Sequence, residues 1–324
     1  MNSFLNIKVL CTAAAALMVV ACTQKVSTEK EKPLVIDSQI ASIEDNFNLY
    51  VVSDLGRNGY YLQKPIAHLM GEMADVVSPE YILAAGDTHH FEGVRSTQDP
   101  LWMTNYETIY SHPELMIDWY AISGNHEYRG NTQAVLDYSA ISRRWNAPSR
   151  YYTFSSEVND STDLRVIMID TTPLMKKYQK SKEKYPDVQL ADNSRQIAWL
   201  DSVLQSSTEK WKIVVGHHPI YSHDKKHGGS EDLLALVDPL MQKYGVNAYL
   251  AGHIHNFQHI KPERSKVNYY VNSSASLSRP SMSGEGTKFH SSDAGFTIVS
   301  ANSDKLSVIF VNQDGKSIYR SDLN

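Results

Sequence analysis

The stretch that decides the fold is Tyr81–His90, which reads YILAAGDTHH. Its apolar run, Tyr81–Ala85, has the length and composition of a buried β-strand and ends at Gly86. An aspartate, Asp87, and two adjacent histidines follow within four residues. Side chains of this kind can bind a metal ion, act as acids or bases, or simply lie in a surface loop. Whether they form a site depends on partners elsewhere in the chain.

The same arrangement follows four other short apolar runs. In each, a strand-like segment is followed, usually through a glycine, by a side chain that can bind metal or transfer a proton. These side chains are Asp54, Asn125 with His126, His217, and His253. A single aspartate or asparagine after a strand is usually a turn residue or a helix cap. Five such positions indicate a common site, because ligands bind at strand carboxyl ends in α/β sheets.

The apolar runs alternate with segments of helical spacing, which predicts an α/β layered domain. Strands are predicted at Leu49–Ser53, Tyr81–Ala85, Trp119–Ser123, Leu164–Asp170, Lys212–Val215 and Ala248–Ala251. Helices are predicted at Tyr61–Val76, Asp99–Tyr110, Asn193–Gln205 and Asp232–Tyr244. Later strands have no helices between them and predict an antiparallel part; they are Tyr269–Ser273, Gly295–Ser300 and Leu306–Val311.

Composition and charge exclude some classes of partner. The chain has 324 residues, is 42% hydrophobic and carries a formal net charge of −5. These values are ordinary for a globular protein and give no broad attraction to nucleic acid, so a nucleic-acid partner is not expected. A phosphate ligand would have to be attracted locally, by a metal ion.

The first 21 residues have the pattern of a targeting segment. Lys8 is followed by an apolar stretch, Val9–Ala21, which is too short to span a bilayer as a helix. The stretch ends in VVAC, Val19–Cys22, which resembles a bacterial lipoprotein signal in which Cys22 is lipidated and becomes the first mature residue. An ordinary secretory signal is the alternative. We expect an exported protein anchored by lipid to the cell envelope, on its periplasmic or exterior side.

The segment after this signal is polar and rich in lysine and glutamate. Residues 22–45, which include STEKEKP at Ser27–Pro33, are predicted to be a flexible tether. The globular part is expected to begin near Asn46. Because Cys11 would leave with the signal, the mature chain is expected to have no disulfide.

The side chains after the strands offer the ligands of a two-metal site. Asp54 and Asp87 have carboxylates, and one carboxylate can bridge two cations. GNHE at Gly124–Glu127 adds a carboxamide and an imidazole, and GHIH at Gly252–His255 places two imidazoles two residues apart. Imidazole together with carboxylate suits Fe, Zn or Mn. Two metals about 3.5–4 Å apart can hold a hydroxide nucleophile and the oxygens of a phosphate group.

The ordered motifs DLG, GDTHH, GNHE, VVGHHP and GHIH resemble those of the calcineurin-like metallophosphoesterases. Stretches such as WYAISGNHEYRGN and YGVNAYLAGHIHNFQHI are similar to the small, mammalian-type purple acid phosphatases, also called tartrate-resistant acid phosphatases. The similarity runs from about Asn48 to Leu323. It implies that residues 46–324 form one catalytic domain, a four-layer α/β/β/α sandwich, with two metal ions drawn from Fe, Zn or Mn.

The resemblance also implies an activity and a role for each matching residue. The activity is hydrolysis of phosphomonoesters by in-line attack of a metal-bound hydroxide. The alternatives are a phosphodiesterase or nucleotide pyrophosphohydrolase on the same fold and, less favoured, a non-catalytic surface lipoprotein. The implied metal ligands are Asp54 and His255 at the first site, Asp87 as the bridge, and Asn125, His217 and His253 at the second site. His126 matches the histidine that contacts the substrate phosphate.

One position departs from the family pattern. In purple acid phosphatases, the third residue after the bridging aspartate is a tyrosine whose phenolate binds Fe(III) and gives the colour. His90 occupies that position here, and Gly56 occupies the place of the histidine that most calcineurin-like enzymes have in the first motif. We therefore expect His90 to bind the first metal in place of both, and the protein to lack the purple colour.

Three further histidines have predicted roles. His218 stands where the family often has a tyrosine and is predicted to contact substrate. His227 matches a family histidine near the leaving group, after one inserted residue, and is a candidate general acid beside His126. A solvated loop histidine is the alternative for His227. His89 is predicted to lie at the rim of the pocket.

Overall fold

Two seven-stranded β-sheets form the centre of the molecule. The computed structural model describes residues 34–225 and 228–324. The strands are β1 (Phe47–Val52), β2 (Tyr81–Ala84), β3 (Asp118–Ala121), β4 (Trp145–Asn146), β5 (Tyr152–Asn159), β6 (Thr162–Met168), β7 (Trp211–Val215), β8 (Ala248–Ala251), β9 (Phe257–Ile260), β10 (Asn268–Val271), β11 (Thr287–Ser291), β12 (Gly295–Ala301), β13 (Leu306–Asn312) and β14 (Ser317–Leu323). The α-helices are α1 (Ser38–Ala41), α2 (Gln63–Val77), α3 (Thr132–Asp137), α4 (Lys176–Gln179), α5 (Asn193–Ser206), α6 (Glu231–Leu236) and α7 (Asp238–Tyr244). Shorter helical turns lie at Met103–Glu107, Pro113–Leu115, Glu127–Arg129, Tyr138–Ala140 and Pro186–Leu190.

Each sheet combines parallel and antiparallel strands. The first sheet has the order β14-β13-β12-β1-β2-β3-β4, and the second has the order β11-β9-β10-β8-β7-β6-β5. β1, β2 and β3 are parallel neighbours, as are β6, β7 and β8. β12 and β13 pair antiparallel, as the sequence predicts for the tail. β10, which was predicted in the same antiparallel part, pairs antiparallel with β9 on one side and parallel with β8 on the other.

Alternation of side chains along the strands produces three apolar layers. In β1, Leu49 and Val51 pack between the two sheets, whereas Tyr50 and Val52 pack on the other face, in the cluster that contains α2. The outer face of the second sheet is covered in the same way by α5, α6 and α7. Because both faces of the central strands are buried, their sequences are mostly apolar. The four-layer α/β/β/α sandwich expected from the resemblance is confirmed.

Two predicted helices differ from the structure. The predicted helix at Asp99–Tyr110 is shorter in the structure: residues 101–107 are helical, and Met103–Glu107 have π-helical hydrogen bonds. The predicted helix at Asp232–Tyr244 is divided into α6 and α7, and the division falls just before Pro239. Proline has no backbone N–H to donate to the preceding turn, so it starts α7 rather than continuing α6.

The folded part begins before residue 46. Asp37 caps α1 by accepting the backbone N–H of Ile40 at 3.1 Å, and it also accepts the backbone N–H of Ser317 at 2.7 Å. Ile40 and Ile43 are fully buried in the core. The prediction of a flexible tether is therefore wrong for residues 34–45, because their spaced isoleucines pack on the domain even though the segment as a whole is polar.

No helix in residues 34–225 and 228–324 is long and apolar enough to cross a bilayer. The predicted signal segment, Cys22 and the earlier part of the predicted tether lie outside the described residues. The structure therefore bears only on the domain that follows them.

Candidate metal centre

The side chains that follow five strands meet at one edge of the sandwich. The first sheet brings Asp54, Asp87 and Asn125 from the ends of β1, β2 and β3, and the second sheet brings His217, His253 and His255 from the ends of β7 and β8. Neighbouring parallel strands end at the same edge of their sheet, so each sheet delivers its own set of side chains. The first sheet supplies the oxygen ligands of this set, and the second supplies the imidazoles.

Asp87 lies between the two halves of the site. Its Oδ2 is 3.2 Å from Nε2 of His217 and 3.5 Å from Nε2 of His90. Its Oδ1 accepts the backbone N–H of His126 at 2.9 Å. Asp54, Asp87 and His217 also offer ligand atoms that all lie within 4.8 Å of one another. This is the position expected of a bridging carboxylate.

The first donor group consists of Asp54, His90 and His255, whose ligand atoms lie within 4.8 Å of one another. Nε2 of His255 is 3.1 Å from Oδ1 of Asp54. His90 is only 4% exposed, and neither of its ring nitrogens has a hydrogen-bond partner among the described residues. A buried imidazole with unsatisfied nitrogens beside two acidic side chains fits a metal ligand.

The second donor group is built around His217. Nδ1 of His253 lies 3.2 Å from Nε2 of His217, so two ring nitrogens face each other. The side-chain oxygen of Asn125 is buried and has no hydrogen-bond partner in the part of the chain that the structure describes. His217, His218 and His253 offer ligand atoms within 4.8 Å of one another, and imidazole and carboxamide are both suitable ligands for a cation. The residues present thus fit a second metal ion.

Backbone carbonyls fix the orientation of two of the imidazoles. Nδ1 of His217 lies 2.9 Å from the carbonyl of Ala85, and Nδ1 of His255 lies 2.7 Å from the carbonyl of Leu277. Since a carbonyl only accepts, each Nδ1 carries the proton, and each Nε2 is left to point at the carboxylates. This hydrogen bond to the far nitrogen is the usual support of a metal-binding histidine.

Four of the candidate ligands have left-handed backbone conformations. The φ angles are +54° at Asp54, +53° at Asp87, +71° at His253 and +64° at His255. Positive φ is uncommon for residues with a side chain, and such strain is concentrated at functional sites. The strands thus end in tight turns that aim these side chains into the site.

Glycines between strand and ligand are required by close packing. Gly86 has a φ of +87°, and a Cβ there would lie 2.7 Å from Nδ1 of His217. A Cβ on Gly124 would lie 2.3 Å from Oδ1 of Asp87. The recurrent glycine that the sequence shows after its strands therefore makes room for neighbouring ligands.

Glu127 holds together the two loops that carry the first-sheet ligands. Its carboxylate accepts the backbone N–H groups of Gly124 at 2.7 Å, Asp87 at 2.9 Å and His89 at 3.0 Å. Burial and the charge of Asp87 raise the pKa of Glu127 to about 7, against the opposing effect of these N–H groups. Sequence reasoning gave this residue no role, although it ends the GNHE motif.

The electrostatics of the centre favour cations. Burial by itself would raise the pKa of Asp54 and Asp87, but nearby histidines outweigh it and hold both pKa values below the usual range. Burial would lower the pKa of His217, but Asp87 reverses the effect and raises it to about 9. The carboxylate charges that retain a proton on His217 would equally attract a metal ion.

Two further histidines near the candidate ligands are buried and contact other protein side chains. His89 is fully buried with its ring centre 4.5 Å from that of Trp102, so its predicted position at the rim is wrong. His218 is also buried, with Nδ1 2.8 Å from the hydroxyl of Thr171 and Nε2 2.7 Å from the hydroxyl of Tyr178. A ring nitrogen of His218 also lies within 4.8 Å of ligand atoms of His217 and His253, and its predicted contact with substrate stays a prediction.

His126 lies at the open side of the centre. Its Nδ1 is 2.5 Å from the carbonyl of Phe91, and its Nε2 is 3.8 Å from Oδ2 of Asp87. Burial, with a contribution from His90, lowers its pKa to about 4. The other candidate acid, His227, lies outside the described residues.

The position of His90 leads to a spectroscopic prediction. We expect the iron-loaded protein to lack an intense visible band, and iron-loaded His90→Tyr to gain one, because a phenolate bound to Fe(III) absorbs by charge transfer. Visible absorption spectra at a measured iron content would test both statements. His90→Phe is the matched control, since it places a similar ring there without a phenolate. A purple wild-type protein would contradict the prediction.

Comparison with known proteins identifies the family. A family model described as calcineurin-like phosphoesterase matches residues 47–257. The chain is 32% identical to tartrate-resistant acid phosphatase type 5 of Rattus norvegicus over 262 residues, which cover 76% of this chain and 80% of the relative. It is 29% identical to purple acid phosphatase 4 of Arabidopsis thaliana over 303 residues, which cover 89% of this chain and 88% of the relative.

A solved structure has the same fold at lower identity. It is GAP50, described as the anchor in the inner membrane complex of Plasmodium, with a TM-score of 0.76 and 23% identity over 86% of this chain and 89% of that one. At this identity the likeness shows the fold alone, and fold does not determine function. The family match and the curated relatives give the assignment: the chain belongs to the calcineurin-like phosphoesterase family and is similar to its purple, tartrate-resistant acid phosphatases.

Proposed function

We propose that the protein is a binuclear metal-dependent phosphatase that hydrolyses phosphomonoesters. The observation that carries this proposal is the position of Asp87, whose carboxylate lies between two groups of buried metal-competent side chains. The tartrate-resistant and purple acid phosphatases among its relatives support the same reaction class. The residues are compatible with Fe, Zn or Mn in either group.

The residues of the centre prepare it to bind metal and phosphate. When bound, two cations supply positive charge for phosphate oxygens and lower the pKa of water enough to provide a nucleophile near neutral pH. Asp54 and Asp87 are ionised in that range because their pKa values are held low. His217 and His255 are held in one orientation by backbone carbonyls, so the ligand set needs little rearrangement.

His126 is placed to contact the phosphate group. Its Nδ1 is bonded to a carbonyl, so Nε2 is the nitrogen that faces the centre. The negative charge of a bound phosphate would raise the pKa of this imidazole, which favours its protonated form. A protonated Nε2 could then donate to the phosphate or to the departing oxygen, and His227 is the alternative donor.

The choice of substrate class is open to a direct test. Steady-state rates with 4-nitrophenyl phosphate and bis(4-nitrophenyl) phosphate should show a kcat/KM for the monoester at least about tenfold higher, because a second ester group must fit beside the metals. A preference for the diester would instead favour a phosphodiesterase on the same fold. Inactivity with both compounds at every metal tested would favour the non-catalytic alternative.

We also propose that the domain is anchored to the cell envelope through lipid on Cys22, facing the periplasm or the exterior. The support is the VVAC sequence at Val19–Cys22 after a short apolar stretch. Fractionation should find the wild-type chain with membranes and Cys22→Ser released or unprocessed. Membrane association of a Cys22→Ser chain from which the signal segment has been removed, equal to that of the wild type, would sink this proposal.

A further inference from the structure

A cleft with a volume of about 460 Å³ opens beside the metal centre. His90, the candidate ligand of the first metal, forms part of its wall. The rest of the wall includes Arg57 and three aromatic residues, namely Tyr60, Tyr61 and Phe91. Nothing in the reaction proposed above uses these four side chains. The cleft is therefore the place where the part of a substrate beyond its reacting phosphate can lie.

Arg57 is a buried cation in the wall of this cleft. The residue is 6% exposed, and its guanidinium carbon lies 5.0 Å from the ring centre of Phe91. Its Nε has no hydrogen-bond partner, and the guanidinium has no ion pair within residues 34–225 and 228–324. Apart from the face of the Phe91 ring, the guanidinium has no direct partner among those residues, and a cation removed from water in this way favours an anion.

The nearby carboxylates cannot serve as the anionic partner of Arg57 once metal is bound. Asp54 and Asp87 are the acidic groups whose charges act on Arg57. Both are candidate metal ligands, so bound cations would neutralise the charge that they offer to the guanidinium. An anionic group of the substrate is then the remaining partner, and a guanidinium binds phosphate through two parallel hydrogen bonds.

The aromatic residues lie farther out, at the mouth of the cleft. Tyr60, Tyr61 and Phe91 are 72%, 63% and 66% exposed. Exposed aromatic side chains grouped around a cavity indicate a binding surface, and their rings suit a planar group. The backbone carbonyl of Phe91 also accepts a hydrogen bond from Nδ1 of His126. The outer cleft is therefore in direct contact with the histidine beside the reacting phosphate.

We propose that Arg57 binds a second anionic group of the substrate, next to the reacting phosphate, while Tyr60, Tyr61 and Phe91 hold a planar group beyond it. A nucleoside diphosphate has these groups in the same order: a terminal phosphate, a second phosphate and a planar base. Water would attack its terminal phosphorus, the bond from that phosphorus to the bridging oxygen would break, and the products would be phosphate and a protonated nucleoside monophosphate. This proposal names a substrate class and rests on the phosphatase function proposed above.

Four substrates and two variants separate the parts of the cleft. ADP has both a second phosphate and a ring system, pyrophosphate has only the second phosphate, 4-nitrophenyl phosphate has only the ring, and glycerol 2-phosphate has neither. In Arg57→Met, kcat/KM should fall about tenfold further for ADP and pyrophosphate than for the other two. In the double variant Tyr60→Ala/Tyr61→Ala, it should fall further for ADP and 4-nitrophenyl phosphate than for pyrophosphate.

Control variants distinguish a contact from a general defect. Arg143→Met removes an exposed arginine outside the cleft and should change none of the four substrate ratios. Arg57→Lys keeps the charge without the paired hydrogen bonds, and it should retain more activity with ADP than Arg57→Met does. Equal losses for all four substrates in Arg57→Met would overturn the proposal. Wild-type inactivity with all four would overturn the phosphatase function itself, which is a separate failure.

Discussion

Asp87→Asn should lower kcat/KM for 4-nitrophenyl phosphate by about 10³-fold or more. Asparagine keeps an oxygen that can accept the backbone N–H of His126, but it places an uncharged NH₂ group where Oδ2 faces His217 and His90. The variant can therefore no longer offer a charged bridge to two cations. Metal analysis of the purified variant should find fewer than two ions per chain.

Loss of activity in this variant must be separated from loss of stability. In the metal-free protein, the lowered pKa of Asp87 and the raised pKa of His217 mean that this charged pair stabilises the fold at neutral pH, so Asp87→Asn should unfold at a lower temperature than the wild type in chelator. Activity should therefore be measured well below the unfolding midpoint of the variant. Asp163→Asn is the matched control, because that carboxylate is exposed on β6. Activity of Asp87→Asn close to that of the wild type, with two metals bound, would refute the bridging role.

Glu127→Ala should lower the free energy of unfolding of the metal-free protein by about 4 kcal/mol. The substitution leaves the N–H groups of Gly124, Asp87 and His89 without an acceptor in a buried place. That loss is a large part of the 5–15 kcal/mol that stabilises a typical domain. Denaturant unfolding in chelator would measure it without a contribution from bound metal.

Two further variants keep this prediction testable even if Glu127→Ala does not fold. In Glu127→Gln, the amide oxygen can still accept two of the N–H groups, but its NH₂ would face the third donor. The loss should be about 2 kcal/mol, between wild type and alanine. Glu263→Ala, at an exposed position, should change the unfolding free energy by less than about 0.5 kcal/mol. Equal stability of Glu127→Gln and Glu127→Ala would show that the three hydrogen bonds are not the cause.

Sequence reasoning was most successful where a strand ends in a ligand. Asp54, Asp87 and His217 follow apolar runs that had to be buried strands, and the parallel pairing of those strands brings the side chains together. His90 was singled out because it replaces a family tyrosine, and the structure buries it in the first donor group. The local sequence pattern was sufficient to predict these ligands because the strand before each one fixes its position.

Other features depend on contacts that the local sequence does not reveal. The hydrogen bonds of Glu127 go to backbone atoms up to 40 positions away, so its motif alone could not show them. His89 and His90 are adjacent, yet only the fold shows that one packs on Trp102 while the other faces the centre. Arg57 follows the first motif as an ordinary loop residue, and its burial became apparent only with the cleft around it.

The division of ligands between the two sheets has a consequence for assembly. The backbone N–H of His253 bonds to Asp54, a residue 199 positions earlier, and Asp87 must meet His217 across the same junction. Neither half of the chain alone carries both the carboxylates and the imidazoles of the second sheet. High-affinity metal uptake must therefore wait until the two sheets have docked, and it then opposes their separation. A chain emerging unfolded would acquire its metals as the last step of maturation, and metal content would report which molecules had completed it.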